Sequence, residues 1–137
     1  MNNNSAIGNL GEDLACRFIM DRGFKTILRN FRKPWGELDI IAKDPTGVLV
    51  FIEVKTILAH TNQNDNFGLK PEDNLTNSKL KKLQRTAQIF VGNNQELIDD
   101  KRGWRIDLIA ITIPENLLSN DLTELIKHCD TKHFENI

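Results

Sequence analysis

Two β-prone segments, residues 37–43 and 48–55, are separated by only four residues, Asp-Pro-Thr-Gly. Both segments are rich in Ile, Val and Phe, which favour strands, whereas the residues between them favour a turn. The proline suits the first position of a type I turn, and the glycine suits the left-handed position that follows it. The sequence therefore predicts a hairpin in which Asp44 pairs with Val48.

This hairpin register predicts a cluster of charged side chains. Counting outward from the turn places Asp39 opposite Glu53 and Glu37 opposite Lys55. Directly opposed side chains have Cβ atoms about 4.5 to 5.5 Å apart, so two carboxylates can share one cation but repel each other without it. Oxygen ligands from Asp39, Glu53 and the backbone carbonyl of Val54 suit Mg²⁺ or Mn²⁺. The Lys55 ammonium can then orient a metal-bound water or counter the charge on a scissile phosphate.

A plainer interpretation of the same residues stays open. The charged side chains can form the solvated face of a half-exposed hairpin, closed by a surface salt bridge that adds little stability. Two features favour the metal site instead. The two acids oppose each other, and the face continues into apolar Ile41, Leu49 and Phe51, which indicates that it is covered.

The rest of the chain predicts an α/β fold. Apolar residues at helical spacing predict helices over 5–22, 77–91 and 121–129, and β-prone runs predict further strands at 24–29 and 104–113. Loops are expected at 30–36 and, as a mobile segment, at 56–75. We expect Phe134 in the tail to pack onto the body. This order predicts one α/β domain over residues 1–137, with a central mixed sheet flanked by helices.

Charge and composition bear on the partners of the chain. The net charge of −1 provides no general attraction to a polyanion, so affinity for nucleic acid would need local basic clusters. Two such clusters are Lys79, Lys82 and Arg85 on one predicted helix face, and Arg29, Arg32, Lys33 and Trp35 before the hairpin. A solvated helix face and a core position for the tryptophan are the alternatives. The sequence has no apolar segment of membrane-spanning length and no secretory signal, which predicts a cytoplasmic protein without a membrane partner.

The charged hairpin also resembles a known signature. Gly-Glu-Leu-Asp-Ile-Ile-Ala at 36–42, followed by Phe-Ile-Glu-Val-Lys at 51–55, resembles the PD-(D/E)XK nuclease motif. It is more closely similar to the YraN family of uncharacterised, endonuclease-like bacterial proteins. The similarity extends to Gly-Glu at 11–12, Asn-Phe-Arg at 30–32 and Arg-Ile-Asp at 105–107.

The resemblance implies a restriction-endonuclease-like fold, related to the archaeal Holliday-junction resolvases. It implies that Asp39, Glu53 and Lys55 occupy the signature positions, and that Glu12 is an additional metal ligand or a water anchor rather than a solvated helix residue. Ile57 stands where the family commonly has arginine, so substrate contacts there are left open.

Three functions follow as expectations. The first is a Mg²⁺- or Mn²⁺-dependent endonuclease that hydrolyses DNA, including branched or structured DNA, for which a homodimer is a candidate assembly. The second is a nucleic-acid-binding module that keeps the fold without cutting. The third is a protein-interaction role in which the polar segment 56–75 orders on a partner.

Overall fold

A mixed sheet with helices on both faces organises the chain, which confirms the predicted fold class. The computed structural model describes residues 3–59, 70–119 and 121–137. The helices are α1 (Asn3–Met20), α2 (Asn77–Asn93) and α3 (Leu122–His128), and the strands are β1 (Lys25–Lys33), β2 (Gly36–Lys43), β3 (Leu49–Ala59), β4 (Trp104–Pro114) and β5 (Asp130–Phe134). The five strands lie in chain order; β3 and β4 are parallel and the other neighbours antiparallel. The helices in these ranges are too short or too polar to cross a bilayer.

The turn between β2 and β3 forms as its sequence predicts. The Asp44 amide donates to the Val48 carbonyl at 2.9 Å, and Gly47 has a φ of +95°, which glycine adopts without a steric penalty. Ile40 is paired with Ile52, so the predicted register is confirmed up to that pair.

Each face of the sheet carries its own apolar core. On one face Ile40, Ile52 and Ile109 pack with α1 and α3. On the other face Ile41 and Phe51 pack with α2. The central strands are therefore buried on both sides, which explains why they are apolar almost throughout.

Close contacts with glycine set the distance between each helix and the sheet. A Cβ atom at Gly11 of α1 would overlap the Thr56 side chain of β3, and one at Gly36 of β2 would overlap the Thr86 side chain of α2. Both helices therefore lie closer to the strands than a side chain at these positions would allow.

The structure corrects three boundaries. Residues 30–33 belong to β1, because they pair with β2 across a turn made by Pro34 and Trp35, although a loop was predicted there. The loop predicted at 56–75 is shorter, since β3 pairs with β4 as far as Ala59 and a short 3₁₀ helix covers 71–74; residues 60–69 lie outside the described residues. The tail adds β5 to the sheet edge, but Phe134 stays 37% exposed rather than packing fully onto the body.

A buried ion network joins the hairpin turn to the last strand. The Asp107 side chain is fully buried and accepts hydrogen bonds from Arg105 at 2.9 Å and from the Asn136 amide at 2.9 Å, and its other oxygen lies 2.8 Å from His133 Nε2. Arg105 also donates to Asp44 at 2.7 Å.

Replacing Gly36 with alanine should destabilise the protein by about 1 to 3 kcal/mol, because the new methyl group overlaps Thr86. Rotating the threonine would not remove the strain, since its Cβ and Cγ2 atoms also lie only 3.1 and 3.2 Å from the new carbon. Urea denaturation measures the effect. The matched control, Gly92→Ala at an uncrowded position of α2, should leave stability equal or raise it by about 0.5 to 1 kcal/mol. Equal stability of G36A and the parent protein would contradict the proposed packing.

Candidate active site

The candidate site lies where β2 and β3 separate. The ladder between them ends at Ile40 and Ile52, one residue before the predicted pair of acids. Beyond that point the Val54 amide donates to Asp39 Oδ2 at 2.9 Å, so a side-chain carboxylate takes the place of a strand carbonyl. This bond fixes the Asp39 carboxylate in the gap between the strands.

Glu53 and Lys55 approach the same gap from β3. Because they are two residues apart, their side chains project on the same face of the strand. Lys55 Nζ lies 3.3 Å from Glu53 Oε1, and the side chains are 24% and 17% exposed, respectively. The pair is partly shielded from water, which strengthens its attraction relative to an exposed salt bridge.

Glu12 reaches the gap from α1, next to the close contact at Gly11. The Asp39 charge raises the pKa of Glu12 and also that of Glu53, so Asp39 lies close to both of the other acids. The Glu12 Oε2 atom is buried and has no hydrogen-bond partner among the described residues. An orphaned buried oxygen is costly and suits a cation or a water molecule.

Burial and mutual repulsion disturb the titration of these three acids. The pKa of Glu53 is raised to about 7 by burial and by the Asp39 charge, and the same two causes raise the pKa of Glu12 to about 7. Burial also raises the pKa of Asp39, although the Val54 amide and the Lys55 charge act in the opposite direction. At neutral pH these groups therefore hold a proton or need a positive charge nearby.

Two clefts open on the acids, one on each face of the sheet. Asp39, Glu53, Lys55 and Glu37 line both of them. The cleft on the α2 side has a volume of about 380 Å³, and the one on the α1 side about 340 Å³. Further lining residues are Lys33, Pro34, Gly36, Leu75, Lys79, Lys82, Leu83 and Thr86 on the α2 side, and Ile7, Gly8, Glu12, Val54 and Thr56 on the α1 side. The same acids are thus accessible from two directions.

The structure separates the predicted basic residues into two groups. Lys33, Lys79 and Lys82 line the α2-side cleft, whereas the exposed Arg85 and Trp35 do not line either cleft. Of the other predicted residues, Arg32 lies close enough to Glu12 for its charge to lower the pKa of that acid. The Arg29 charge also lowers the pKa of Glu12, and Arg29 forms an ion pair with Asp13 at 2.7 Å.

The donor set has the chemistry that hard divalent cations prefer: carboxylate oxygens in a partly dry setting, one of them without a partner. It is not a finished coordination shell. Within residues 3–59, 70–119 and 121–137, no three His, Cys, Asp or Glu side chains are arranged so that they could hold a metal. A cation would therefore rely on fewer carboxylates, a backbone carbonyl and water, or on movement of Glu12.

Comparisons with known proteins match most of the chain to one protein family. A family model described as uncharacterised protein family UPF0102 matches residues 11–111, which include all four of the predicted catalytic positions. A UPF0102 protein from Desulforamulus reducens is 40% identical over 77% of this chain and 80% of its own length. Another from Dictyoglomus turgidum is 39% identical over 81% of this chain and 86% of its own length. One from Clostridium botulinum is 37% identical, over 91% of this chain and 94% of its length. These names state no activity.

Without divalent metal, the free energy of unfolding should fall as the pH rises from about 4.5 to about 7. In this interval the folded chain keeps protons on Glu12 and Glu53 that the unfolded chain has released. Each increase in pH therefore lowers the free energy of unfolding. Asp44 and Asp107, whose pKa values are lowered, change stability only below this interval. Urea denaturation in EDTA at several pH values measures the slope.

The control for this prediction is a pair of charge-matched variants. Glu12→Gln should make the slope shallower, because it removes one of the acids whose pKa is raised, whereas Glu96→Gln on the exposed surface should leave the slope unchanged. If the free energy of unfolding changes with pH equally steeply in the parent and in E12Q, the raised pKa assigned to Glu12 is wrong.

Proposed function

This chain belongs to the uncharacterised protein family UPF0102, and we propose that it is a Mg²⁺- or Mn²⁺-dependent nuclease that hydrolyses phosphodiester bonds of DNA. The observation that carries the proposal is the convergence of Asp39, Glu53 and Lys55 at the gap between β2 and β3. Glu12 approaches the same gap from α1. A metal-dependent phosphodiesterase needs this combination of carboxylates and a nearby ammonium group.

Asp39 and Glu53 would hold the cation, with Glu12 Oε2 as a further oxygen donor. The Val54 carbonyl is also available, because the N–H and C=O of a strand residue point to the same side and the Val54 amide already faces Asp39. The bound cation would supply a water of lowered pKa and neutralise charge on the phosphate.

Lys55 has two tasks in this proposal. While no cation is bound, it lies 3.3 Å from Glu53 and limits the repulsion between the acids. During cleavage its ammonium group would offset the negative charge that grows on the scissile phosphate. The α2-side cleft would guide the substrate, since Lys33, Lys79 and Lys82 line it beside the acids.

Asp39→Asn and Glu53→Gln should each lower Mn²⁺-dependent DNA cleavage by at least about 100-fold, because each replaces an anionic ligand with a neutral side chain of the same shape. Initial rates on linear duplex, single-stranded and four-way-junction DNA measure the effect. Glu96→Gln, at an exposed residue that lines neither cleft, is the matched control and should cut at the parent rate. Parent-level cleavage by D39N or E53Q would refute the assignment.

Lys79→Ala and Lys82→Ala should each make DNA binding less sensitive to salt. If each ammonium neutralises one phosphate, the slope of log affinity against log salt concentration should fall in magnitude by roughly 0.7 to 1 per variant. Fluorescence anisotropy between about 50 and 200 mM salt measures this slope. Lys101→Ala, at an exposed turn, should leave it unchanged. Unaltered slopes in both α2 variants would show that DNA does not follow the α2-side cleft.

A second candidate is a module that binds nucleic acid without cutting it. It is favoured by the 3.3 Å pairing of Glu53 with Lys55 and by the incomplete ligand set among the described side chains. Salt-sensitive binding together with no cleavage of any substrate in Mg²⁺ or Mn²⁺ would support this candidate over the nuclease.

A further inference from the structure

The turn between β1 and β2 exposes a large aromatic side chain. Pro34 and Trp35 connect the two strands directly, with Lys33 paired to Gly36. Trp35 is 44% exposed, whereas the other tryptophan, Trp104, packs edge-on against Phe51 with ring centroids 5.5 Å apart. An indole that is almost half exposed at the tip of a turn leaves part of its ring face available for contact with a ligand.

This turn lies at the rim of the α2-side cleft. Lys33, Pro34 and Gly36 line the cleft, so the Trp35 backbone is flanked on both sides by lining residues. Trp35 directly precedes β2 and is four residues from Asp39 in the sequence. At about 3.3 Å per strand residue this is roughly 13 Å, a distance that a stacked nucleic-acid strand covers in about four nucleotides.

The size of the cleft favours one strand over two. Its volume of about 380 Å³ is at the lower end of the range for pockets that hold a single small molecule, roughly 300 to 1,000 Å³. A double helix, whose major groove alone is about 12 Å wide, does not fit into such a space. A nucleotide that inserts its base into the cleft would therefore have to be unpaired, and this favours a single strand as the ligand of the cleft.

Charge on both sides of the cleft suits a single phosphate backbone. Lys33 extends from the β1 side with its ammonium 5.4 Å from the Phe31 ring centroid, and Lys79 extends from α2 with its ammonium 3.2 Å from the Asn74 carbonyl oxygen. Neither contact neutralises the lysine. A strand between the turn and α2 would meet positive charge on both sides and would pass the turn that carries Trp35.

We propose that the α2-side cleft binds an unpaired segment of DNA, with the indole of Trp35 stacking on one of its bases. The proposal rests on the proposed function, because the cleft contains the acids assigned to cleavage, and it adds a substrate class: single-stranded DNA, or the unpaired part of a branched molecule, rather than intact duplex. Stacking of this kind does not depend on the identity of the base.

Binding is measured with Ca²⁺ in place of Mg²⁺, by anisotropy of a labelled oligothymidine and of a blunt duplex of equal length. The parent protein should bind the oligothymidine at least about five-fold more tightly. Trp35→Ala should weaken that binding by roughly 5- to 100-fold, and Trp35→Phe should retain most of it. Phe134→Ala removes another exposed aromatic ring, on the opposite edge of the sheet, and should leave the affinity unchanged.

Intrinsic fluorescence gives a second measurement. In a Trp104→Phe variant, Trp35 is the only indole, and its emission should be quenched as oligothymidine is added. Unchanged affinity in W35A, or equal affinity of the parent for duplex and single strand, would overturn the proposal.

Cleavage measured separately with Mn²⁺ tests the nuclease activity independently of the stacking by Trp35. If the protein cuts duplex and single-stranded DNA equally, and W35A cuts both at the parent rate, the stacking proposal fails and the nuclease stands. If W35A loses single-strand binding but no variant or parent cuts any substrate, the nuclease fails and the stacking role stands.

Discussion

The hydrogen bond from the Val54 amide to the Asp39 carboxylate is the constraint on which the candidate site depends. Two antiparallel strands that continued to pair beyond Ile40 and Ile52 would satisfy that amide with a carbonyl and leave no opening. By accepting the amide at 2.9 Å, Asp39 ends the ladder and still avoids an unsatisfied buried donor. The strands can then separate without the cost of a lost hydrogen bond.

The parallel pairing of β3 with β4 makes this separation possible. β3 stays paired with β4 from Leu49 to Ala59, so its second half remains part of the sheet after β2 has diverged. Gly11 and Gly36 then bring α1 and α2 close to the sheet on its two faces. α1 positions Glu12 at the site, and α2 positions Lys79 and Lys82 along the α2-side cleft. Rigid elements rather than loops therefore hold the charged groups in place.

Sequence reasoning predicted the parts of this arrangement that are local. The Asp-Pro-Thr-Gly turn set the register of the hairpin, because turn chemistry and a period of two leave little freedom. The role of Glu12 as a site residue was inferred only from the family resemblance, because a helical pattern does not show which acidic side chain faces a strand. The extension of β1 through polar Asn30 and Arg32 was missed, because pairing with β2 overrides weak strand propensity. The contact of His133 with Asp107 joins residues 26 positions apart and has no local signature.

The two clefts lie on opposite faces of the sheet and share the acids as lining residues. A polymer lying along the α2 side would cover one entrance to the acids and leave the entrance beside α1 open to solvent. Water and small ions would then still reach the acids from the α1 side while the polymer occupies the α2 side.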